Sequence, residues 1–306
     1  VDIVNGTDNA SYGSAAGTGA WKTLNYAVAA INSGSAGTYT LNVAGGTYSL
    51  AEEPDAQPEL TQADVAIVGD PGNMPVIDGS GASNWHTFIY ILADSVSIEN
   101  LDIRNFTLYG LVAAEAADLR VQNCTISNVG WGMQLADLPG TPQILQNRIS
   151  NFTDNGIDLA YKTDGFTGSP KIYNNLIFDP VTGPSGIHIW MNTSGVIAPE
   201  IFHNTIEGDG IGAGISITRD AGTCSPAIRY NNIGNWEDGI VSSGATPAVD
   251  YNNLWNNSYG DYSGLSRGEN DISADPLYLD AAVGNFQLAG GSPCIDAIPL
   301  AEPDPV

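Results

Sequence analysis

The sequence predicts an all-β, single-domain parallel β-helix, a solenoid in which every coil contributes several short strands. Three observations lead to this fold class. A six-residue phrase recurs once per coil from residue 121 to 254. Gly, Asn and Pro separate apolar runs that are too short for helices. A second phrase, close to Gly-Ile-x-Ile, recurs in the same coils and in the same order.

The first phrase brings six residues into one column. They lie 23, 28, 29, 27 and 21 residues apart and are Cys124, Asn147, Asn175, Asn204, Asn231 and Asn252. An asparagine amide in such a column can hydrogen-bond its own turn and the equivalent amide of the next coil, about 4.8 Å away. Coil register alone explains the column, so it is not evidence for a functional site.

The repeat also divides the chain. We predict an N-terminal cap over residues 1–50, β-helix coils over residues 51–264, and an irregular closing segment and tail over residues 265–306. Within the cap, residues 21–31 have the apolar periodicity of an amphipathic helix, which would cover the open first coil. Residues 39–43 and 47–50 are predicted to form a first strand pair.

Composition restricts the partners. The 34 acidic and 9 basic residues give a formal net charge of −25, which repels phosphate backbones, so nucleic acid is not expected as a partner. No apolar run approaches the length of a membrane span. An acidic polysaccharide would be repelled as well, unless a divalent cation bridges its carboxylates and those of the protein.

The second phrase defines two outward columns, because strand residues alternate between the inside and the outside of a sheet. The first column is Val112, Gln134, Asp158, His188, Ser216 and Val241. The second is Ala114, Ala136, Ala160, Trp190, Thr218 and Ser243. Neighbours in a column are about 4.8 Å apart, so an aspartate, a histidine and a serine are predicted to be adjacent, with a tryptophan beside them.

Trp190 has two interpretations. Its column neighbours Ala160 and Thr218 are small, so the indole could be exposed and stack on the face of a sugar. Alternatively, a loop residue such as Phe166 could shield it.

Other polar residues surround these columns. Strand parity places Lys162 and Asn192 in a third outer column, with Arg219 and Asp220 nearby. The cluster could also be an ordinary polar sheet face with surface salt bridges, on which His188 is a solvated residue.

The two ends of the chain resemble a known family. The closing run ADPLYLD, GNFQL and GSPCIDA resembles the last segment of secreted bacterial right-handed parallel β-helix proteins of the pectin-lyase-like class, often labelled choice-of-anchor domains. The opening AWKTLNYAVAAI and LNVAGGTYSL resemble their N-terminal cap. The resemblance implies right-handed coils, a secreted or bacterial cell-surface location, and a polysaccharide or cell-surface glycan as partner. Members include lyases, hydrolases and surface proteins without known chemistry, so fold does not fix activity.

The first functional hypothesis is a calcium-assisted polysaccharide lyase that acts by β-elimination. Lyases on this fold remove the proton beside a uronate carboxylate, which requires a base and groups that neutralise that carboxylate. The predicted catalytic residues are Lys162, Arg219 and His188, with Lys162 or Arg219 as the base. The predicted substrate-binding residues are Trp190, Gln134, Ser216 and Asn192. Asp154, Asp158 and Asp164 are predicted to hold a calcium ion (Ca²⁺).

A polygalacturonase-type hydrolase is disfavoured. The coils around residues 153–158, 184–189 and 212–217 have a similar frame, but Asn155, Pro184-Ser185 and Ala213 stand where that family has its aspartate, its aspartate pair and its histidine.

The second hypothesis is a non-catalytic module that binds glycan or serves as a structural or adhesive extracellular solenoid. Cations are scarce on the outer face, because strand parity assigns Lys171 and Arg229 to a different sheet. This scarcity leaves enzyme and non-enzyme open. We expect a monomer in either case.

Overall fold

Each coil of the chain supplies one strand to each of three long parallel sheets. The computed structural model describes residues 1–295 and 297. In that part of the chain there is one α-helix, α1 (Leu24–Asn32), and two short 3-10 helices at Gly17–Gly19 and Ala281–Val283. None of the helices described there is long and apolar enough to span a membrane.

The strands are short. The first sixteen are β1 (Tyr39–Val43), β2 (Thr47–Ser49), β3 (Glu59–Leu60), β4 (Val65–Gly69), β5 (Val76–Asp78), β6 (Tyr90–Ile91), β7 (Ser97–Glu99), β8 (Asp102–Arg104), β9 (Tyr109–Ala114), β10 (Arg120–Gln122), β11 (Thr125–Val129), β12 (Trp131–Ala136), β13 (Gln143–Leu145), β14 (Arg148–Phe152), β15 (Asn155–Tyr161) and β16 (Thr167–Gly168). The remainder are β17 (Lys171–Tyr173), β18 (Leu176–Phe178), β19 (Ser185–Met191), β20 (Val196–Ile197), β21 (Glu200–Phe202), β22 (Thr205–Glu207), β23 (Ala213–Arg219), β24 (Thr223–Cys224), β25 (Ala227–Arg229), β26 (Asn232–Gly234), β27 (Asp238–Ser243), β28 (Ala248–Asp250), β29 (Asn253–Trp255), β30 (Gly260–Ser263), β31 (Tyr278–Asp280) and β32 (Asn285–Leu288).

Three sheets of nine strands each form the walls of the solenoid. Sheet A has the order β1-β4-β7-β10-β13-β17-β21-β25-β28. Sheet B has the order β2-β5-β8-β11-β14-β18-β22-β26-β29. Sheet C has the order β3-β6-β9-β12-β15-β19-β23-β27-β30, and β16, β20 and β24 form a small additional sheet. The predicted all-β parallel β-helix is confirmed.

Inward side chains of the three sheets form one continuous apolar core. In sheet A, Val121, Ile144 and Ile172 follow one another in register, and all three are fully buried. In sheet C, Ile157, Ile187 and Ile215 do the same, as do the equivalent residues of sheet B. Burying each such side chain contributes about 1.5–3 kcal/mol, so the repeated isoleucine columns hold the coils in register.

The asparagine column is confirmed as a hydrogen-bonded ladder. The side-chain oxygen of Asn175 accepts from the backbone N–H and the side-chain amide of Asn147, at 3.0 and 3.1 Å, and the pattern repeats from coil to coil. The last asparagine, Asn252, donates in the same way to the buried carboxylate of Asp271 at 2.6 and 3.1 Å. The six-residue phrase gave no sign of this last acceptor, because Asp271 lies outside the repeat.

The cap helix begins three residues later than the periodicity predicts. The Thr23 side chain caps the helix by accepting from the N–H of Tyr26 at 3.2 Å. The carboxylate of Asp8 accepts from the N–H groups of Lys22 and Thr23 at 2.9 and 3.0 Å, which keeps these two residues out of the helix. The predicted apolar face is confirmed, since Leu24, Ala27, Val28 and Ile31 are buried.

The expected first strand pair is wrong. β1 pairs with β4 in sheet A, and β2 pairs with β5 in sheet B. Consecutive strands of one coil lie on different walls of the solenoid, so each finds its partner one coil further along the chain. The two segments therefore begin two sheets.

The closing segment folds back over the outside of sheet B. Its strands β31 and β32 form an antiparallel hairpin. The Tyr278 hydroxyl donates to Glu207 at 2.7 Å, and the Phe286 ring lies 5.3 Å from that of Phe178. The predicted boundaries at residues 50 and 264 stay predictions, and residues 296 and 298–306 of the predicted closing segment lie outside the described residues.

Candidate functional site

The outer columns of sheet C have the predicted membership. The strand register aligns Gln134 with Asp158, Asp158 with His188, and His188 with Ser216. It also aligns Ala160 with Trp190 and Trp190 with Thr218. Alternation along β12, β15, β19 and β23 therefore delivers these side chains to one surface.

Asp158 and His188 form a hydrogen-bonded dyad. His188 Nδ1 lies 2.6 Å from Asp158 Oδ1, and the Asn155 side-chain amide donates to the same oxygen at 3.2 Å. Asp158 is only 6% exposed, whereas the His188 side chain is 26% exposed. A carboxylate that accepts from Nδ1–H selects the tautomer of a neutral histidine whose Nε2 is free to accept a proton. The dyad can therefore act as an oriented general base at the protein surface.

Two predicted binding residues flank the dyad in the same column. Ser216 is partly exposed and follows His188 in register. Gln134 precedes Asp158 in register. Partial burial is the main reason why the pKa of Tyr109 is raised above its ordinary value.

Trp190 contacts charged side chains from the two neighbouring coils. Its indole Nε1 donates to Asp220 Oδ2 at 3.0 Å. The ammonium of Lys162 lies over its ring, 5.3 Å from the centroid. Phe166 packs against the apolar core, and whether it also shields Trp190 stays a prediction. The indole is half-buried, so part of its surface remains accessible from solvent.

The third outer column consists of Lys162, Asn192 and Asp220. The N–H of Asn192 donates to Tyr161 O at 2.9 Å, and the N–H of Asp220 donates to Met191 O at 2.8 Å, so the ladder continues one residue beyond the strands. Asn192 is exposed at this position.

Arg219 is not directed at the dyad. It aligns with Met191, which lies in an inward column. Its guanidinium donates to the backbone oxygens of Gly222, at 3.0 Å, and Gly244. These contacts give Arg219 a role in closing the loops beyond β23, and they leave Lys162 as the cation placed beside Trp190.

The three predicted calcium ligands do not converge. Asp164 Oδ1 accepts from the N–H of Ser194 and the hydroxyl of Thr193, each at 2.9 Å, and these bonds lower the pKa of Asp164. Asp154 accepts from Thr153 at 3.1 Å, and Asp158 is bonded to His188. Among residues 1–295 and 297, no three His, Cys, Asp or Glu side chains are grouped to hold a metal ion. These residues do not fit a preformed Ca²⁺ site, so calcium binding stays a prediction.

An aromatic pair near the dyad was not predicted. Tyr109 and Trp131 are in register, with ring centroids 5.0 Å apart and an interplanar angle of 33°. Both are half-buried. Along the strand direction they lie three residues before the dyad column, on the opposite side from Trp190. The available signal was the aromatic residue immediately before the glycine of the second phrase in two successive coils.

Comparison with known proteins supports the fold. Residues 65–208 match the family model described as a right handed beta helix region. Together with the three parallel sheets, this match shows that the chain has a right-handed parallel β-helix fold. Among curated proteins, none matches this sequence.

Two solved structures illustrate the likeness of this β-helix to known enzymes. Pectin methylesterase PemA from Erwinia chrysanthemi has a TM-score of 0.52 and 12% identity over 91% of this chain and 97% of its own. Pectate lyase Pel9A has a TM-score of 0.52 and 12% identity over 95% of this chain and 88% of its own. Identities this low establish a shared fold, and the activity has to be argued from the site.

Proposed function

We propose that this chain is an extracellular, carbohydrate-active β-helix enzyme, a polysaccharide lyase whose base is His188. The observation that carries the proposal is the 2.6 Å contact between His188 Nδ1 and the buried Asp158 carboxylate, which orients a partly exposed imidazole. The pectin-processing enzymes that share the fold support a uronate-containing glycan as the substrate class.

The chemistry follows from the dyad. His188 Nε2 takes the proton from the sugar carbon next to the carboxyl group, and Asp158 stabilises the imidazolium that forms. The electrons left on carbon form a C=C bond as the bond to the glycosidic oxygen breaks. The imidazolium then returns its proton to the departing oxygen, which regenerates the neutral base.

Lys162 supplies positive charge for this reaction. Its ammonium lies over Trp190 on the same face as the dyad. Negative charge develops on the carboxyl group when the proton is removed, and a fixed cation stabilises it. Of the catalytic candidates predicted from sequence, His188 fits the base and Lys162 the electrostatic role, whereas Arg219 is committed to loop carbonyls. The proposal involves no step through calcium.

The test is incubation with a panel of uronate polymers, free and methyl-esterified, with added calcium and separately with a chelator. We expect ultraviolet-absorbing unsaturated products from the wild type, and a loss of at least 100-fold in His188→Ala. His203→Ala is the matched control, because His203 stacks on Tyr230 in the turn after β21. Absence of unsaturated product on every polymer in both conditions would overturn the proposal.

The second candidate is a non-catalytic glycan-binding module. It is favoured by the scarcity of cations, since the guanidinium of Arg219 is tied to the Gly222 and Gly244 carbonyls and a polyanion needs several positive charges. Glycan binding that depends on Trp190, without turnover of any polymer, would establish this alternative.

A further inference from the structure

Two tryptophans stand at opposite corners around the Asp158–His188 dyad. Trp131 lies on β12, one strand before Asp158, and Trp190 lies on β19, the strand of His188. Along the strand direction they fall on opposite sides of the dyad column, three residues before Gln134 and two residues after His188.

The ring of Trp131 is covered on one face by an aromatic side chain, and its neighbours on the other side in the same sheet are short side chains. Tyr109 covers the face toward the N-terminal coils, with the centroids 5.0 Å apart. Extending the β12–β15 register by two residues places Asn155 next to Trp131 toward the C-terminal coils, and Ser185 and Ala213 follow Asn155 in register. None of these side chains is large enough to cover an indole. The register therefore places no aromatic side chain on the C-terminal side of Trp131 within this column, which is the side nearer Asp158.

The ring of Trp190, on the other side of the dyad, also has short side chains as neighbours in its column. Its column continues toward the N-terminal coils with Ala160 and Ala136. The bond from its Nε1 to Asp220 fixes the orientation of the indole. Lys162, from the preceding coil, lies over the ring at 5.3 Å and can donate to a hydroxyl or carboxyl group placed there.

We propose that Trp131 and Trp190 are two stacking platforms for one glycan, which crosses the dyad between them. The inference rests on the proposed function in that the ligand is a glycan. The tryptophans are two strand spacings apart across the sheet and five residues apart along it, a diagonal of roughly 20 Å. This span exceeds a disaccharide, so sugars are bound on both sides of His188. The enzyme therefore cleaves internal bonds, and Trp131 is a binding residue.

The experiment measures binding and products separately. Affinities are determined calorimetrically for oligogalacturonides, free and methyl-esterified, from disaccharide to hexasaccharide. We expect wild-type affinity to rise between disaccharide and hexasaccharide. Trp131→Ala and Trp190→Ala should each weaken hexasaccharide binding by about 3- to 10-fold, a typical loss for one aromatic stacking contact. Early products from a long polymer should be a range of oligomers rather than one short species.

Two further variants make the result specific. Trp255→Ala, which removes an exposed indole on β29 of sheet B, should bind all oligomers like the wild type. Trp131→Phe keeps a ring at the same position and should recover most of the affinity, which separates stacking from a folding defect.

The inference and the proposed function fail in different ways. Length-dependent binding that needs both tryptophans, without turnover, supports the platforms and overturns the lyase. Turnover by a Trp131→Ala protein that binds every oligomer like the wild type overturns the second platform and leaves the lyase standing. If a long polymer releases only one short product from the start of the reaction, the proposal that the glycan extends on both sides of His188 is also wrong. If the wild type neither binds nor cleaves any of these oligomers, both ideas are wrong.

Discussion

Two surfaces of the solenoid are both built from columns of equivalent residues, yet they differ in what the columns contain. At the turn between sheets A and B, one column is a run of asparagines, each bonded to the next from Asn147 to Asn252. On sheet C the equivalent column changes residue type at every coil, from Gln134 to Ser216. Identical asparagines satisfy one another's hydrogen-bonding groups. Different residues in one column instead create a local arrangement with its own chemistry.

The same contrast holds for aromatic side chains. Beside the asparagine ladder, the rings of Tyr173 and Phe202 stack at 5.4 Å, and those of Tyr230 and Tyr251 lie 5.5 Å apart. Their faces pack against one another, and this packing stabilises the contact between adjacent coils. Trp131 and Trp190 instead have small residues on one side in register. Repetition indicates a structural column, and an interrupted repeat indicates a candidate site.

The largest expected effect separates activity from stability. Asp158→Asn keeps an acceptor for His188 Nδ1 but removes the charge that stabilises the imidazolium. We expect lyase activity to fall by about 100-fold or more while the free energy of unfolding changes by less than about 1 kcal/mol. Product formation and urea unfolding measure the two quantities. A loss of stability as large as the loss of transition-state stabilisation would place Asp158 among the structural residues.

The converse change is made in the middle of the ladder. Asn175→Ala removes the acceptor of two donors of Asn147 and the amide that donates to Ile144 O and Asn204. Several buried polar groups lose their partners, so we expect unfolding to become easier by about 3 kcal/mol. Leu145→Ala, a neighbouring sheet A substitution outside the ladder, serves as the comparison. If Asn175→Ala cost less than about 1 kcal/mol, the ladder would not hold the coils together.

A third prediction concerns pH and lies in the cap. Burial is the main reason why the pKa of Glu53 is raised to about 7, even though its carboxylate accepts from the N–H groups of Leu24 and Asn25. A raised folded-state pKa means that the contribution of Glu53 to stability is complete below about pH 4.5 and is lost as pH rises through 7.

The check is a comparison of the free energies of unfolding of the two proteins, measured in urea across this pH range. The wild type should lose about 3 kcal/mol between pH 4.5 and 8 relative to Glu53→Gln, which cannot ionise. The pH profile of lyase activity should be the same in both proteins, because the cap helix contacts β3, the first strand of sheet C, whereas the dyad lies on β15 and β19, four and five strands further along that sheet. Parallel stability profiles, or a shifted activity profile, would contradict this separation.

Most of the fold could be predicted from the sequence, because the repeat determines the coil register. Coil register and period-two alternation are local properties, so the columns through Asn175 and His188 could be read from spacing alone. The 2.6 Å bond between His188 and Asp158 could not, because it depends on side-chain rotamers.

The errors at the site fall where the alternation ends. Arg219 is the last residue of β23, and its guanidinium follows the loop carbonyls rather than the sheet face. Asp164 lies in a loop, where it accepts from the backbone of the next coil. Trp131 precedes the glycine of its phrase and is three residues from Gln134, so simple alternation assigned it to no outer column.

The smallest expected effect lies where the ladder ends. Asp271 accepts from the Asn252 backbone and amide through Oδ1, and from the Tyr262 hydroxyl and the Gly268 N–H through Oδ2. In Asp271→Asn the ladder keeps its oxygen, but an amide nitrogen replaces Oδ2. The Tyr262 hydroxyl can turn and accept from that nitrogen, whereas the Gly268 N–H cannot.

One unsatisfied donor should therefore lower the free energy of unfolding by about 1 kcal/mol, measured in urea. A cost equal to that of Asn175→Ala would mean that the negative charge of Asp271 stabilises the whole ladder. No cost would mean that the ladder needs only an oxygen at its end, and that Gly268 finds water instead. An intermediate value indicates that the ladder is a chain of independent neighbour contacts, because losing the bonds at its end is then cheaper than losing those in its middle.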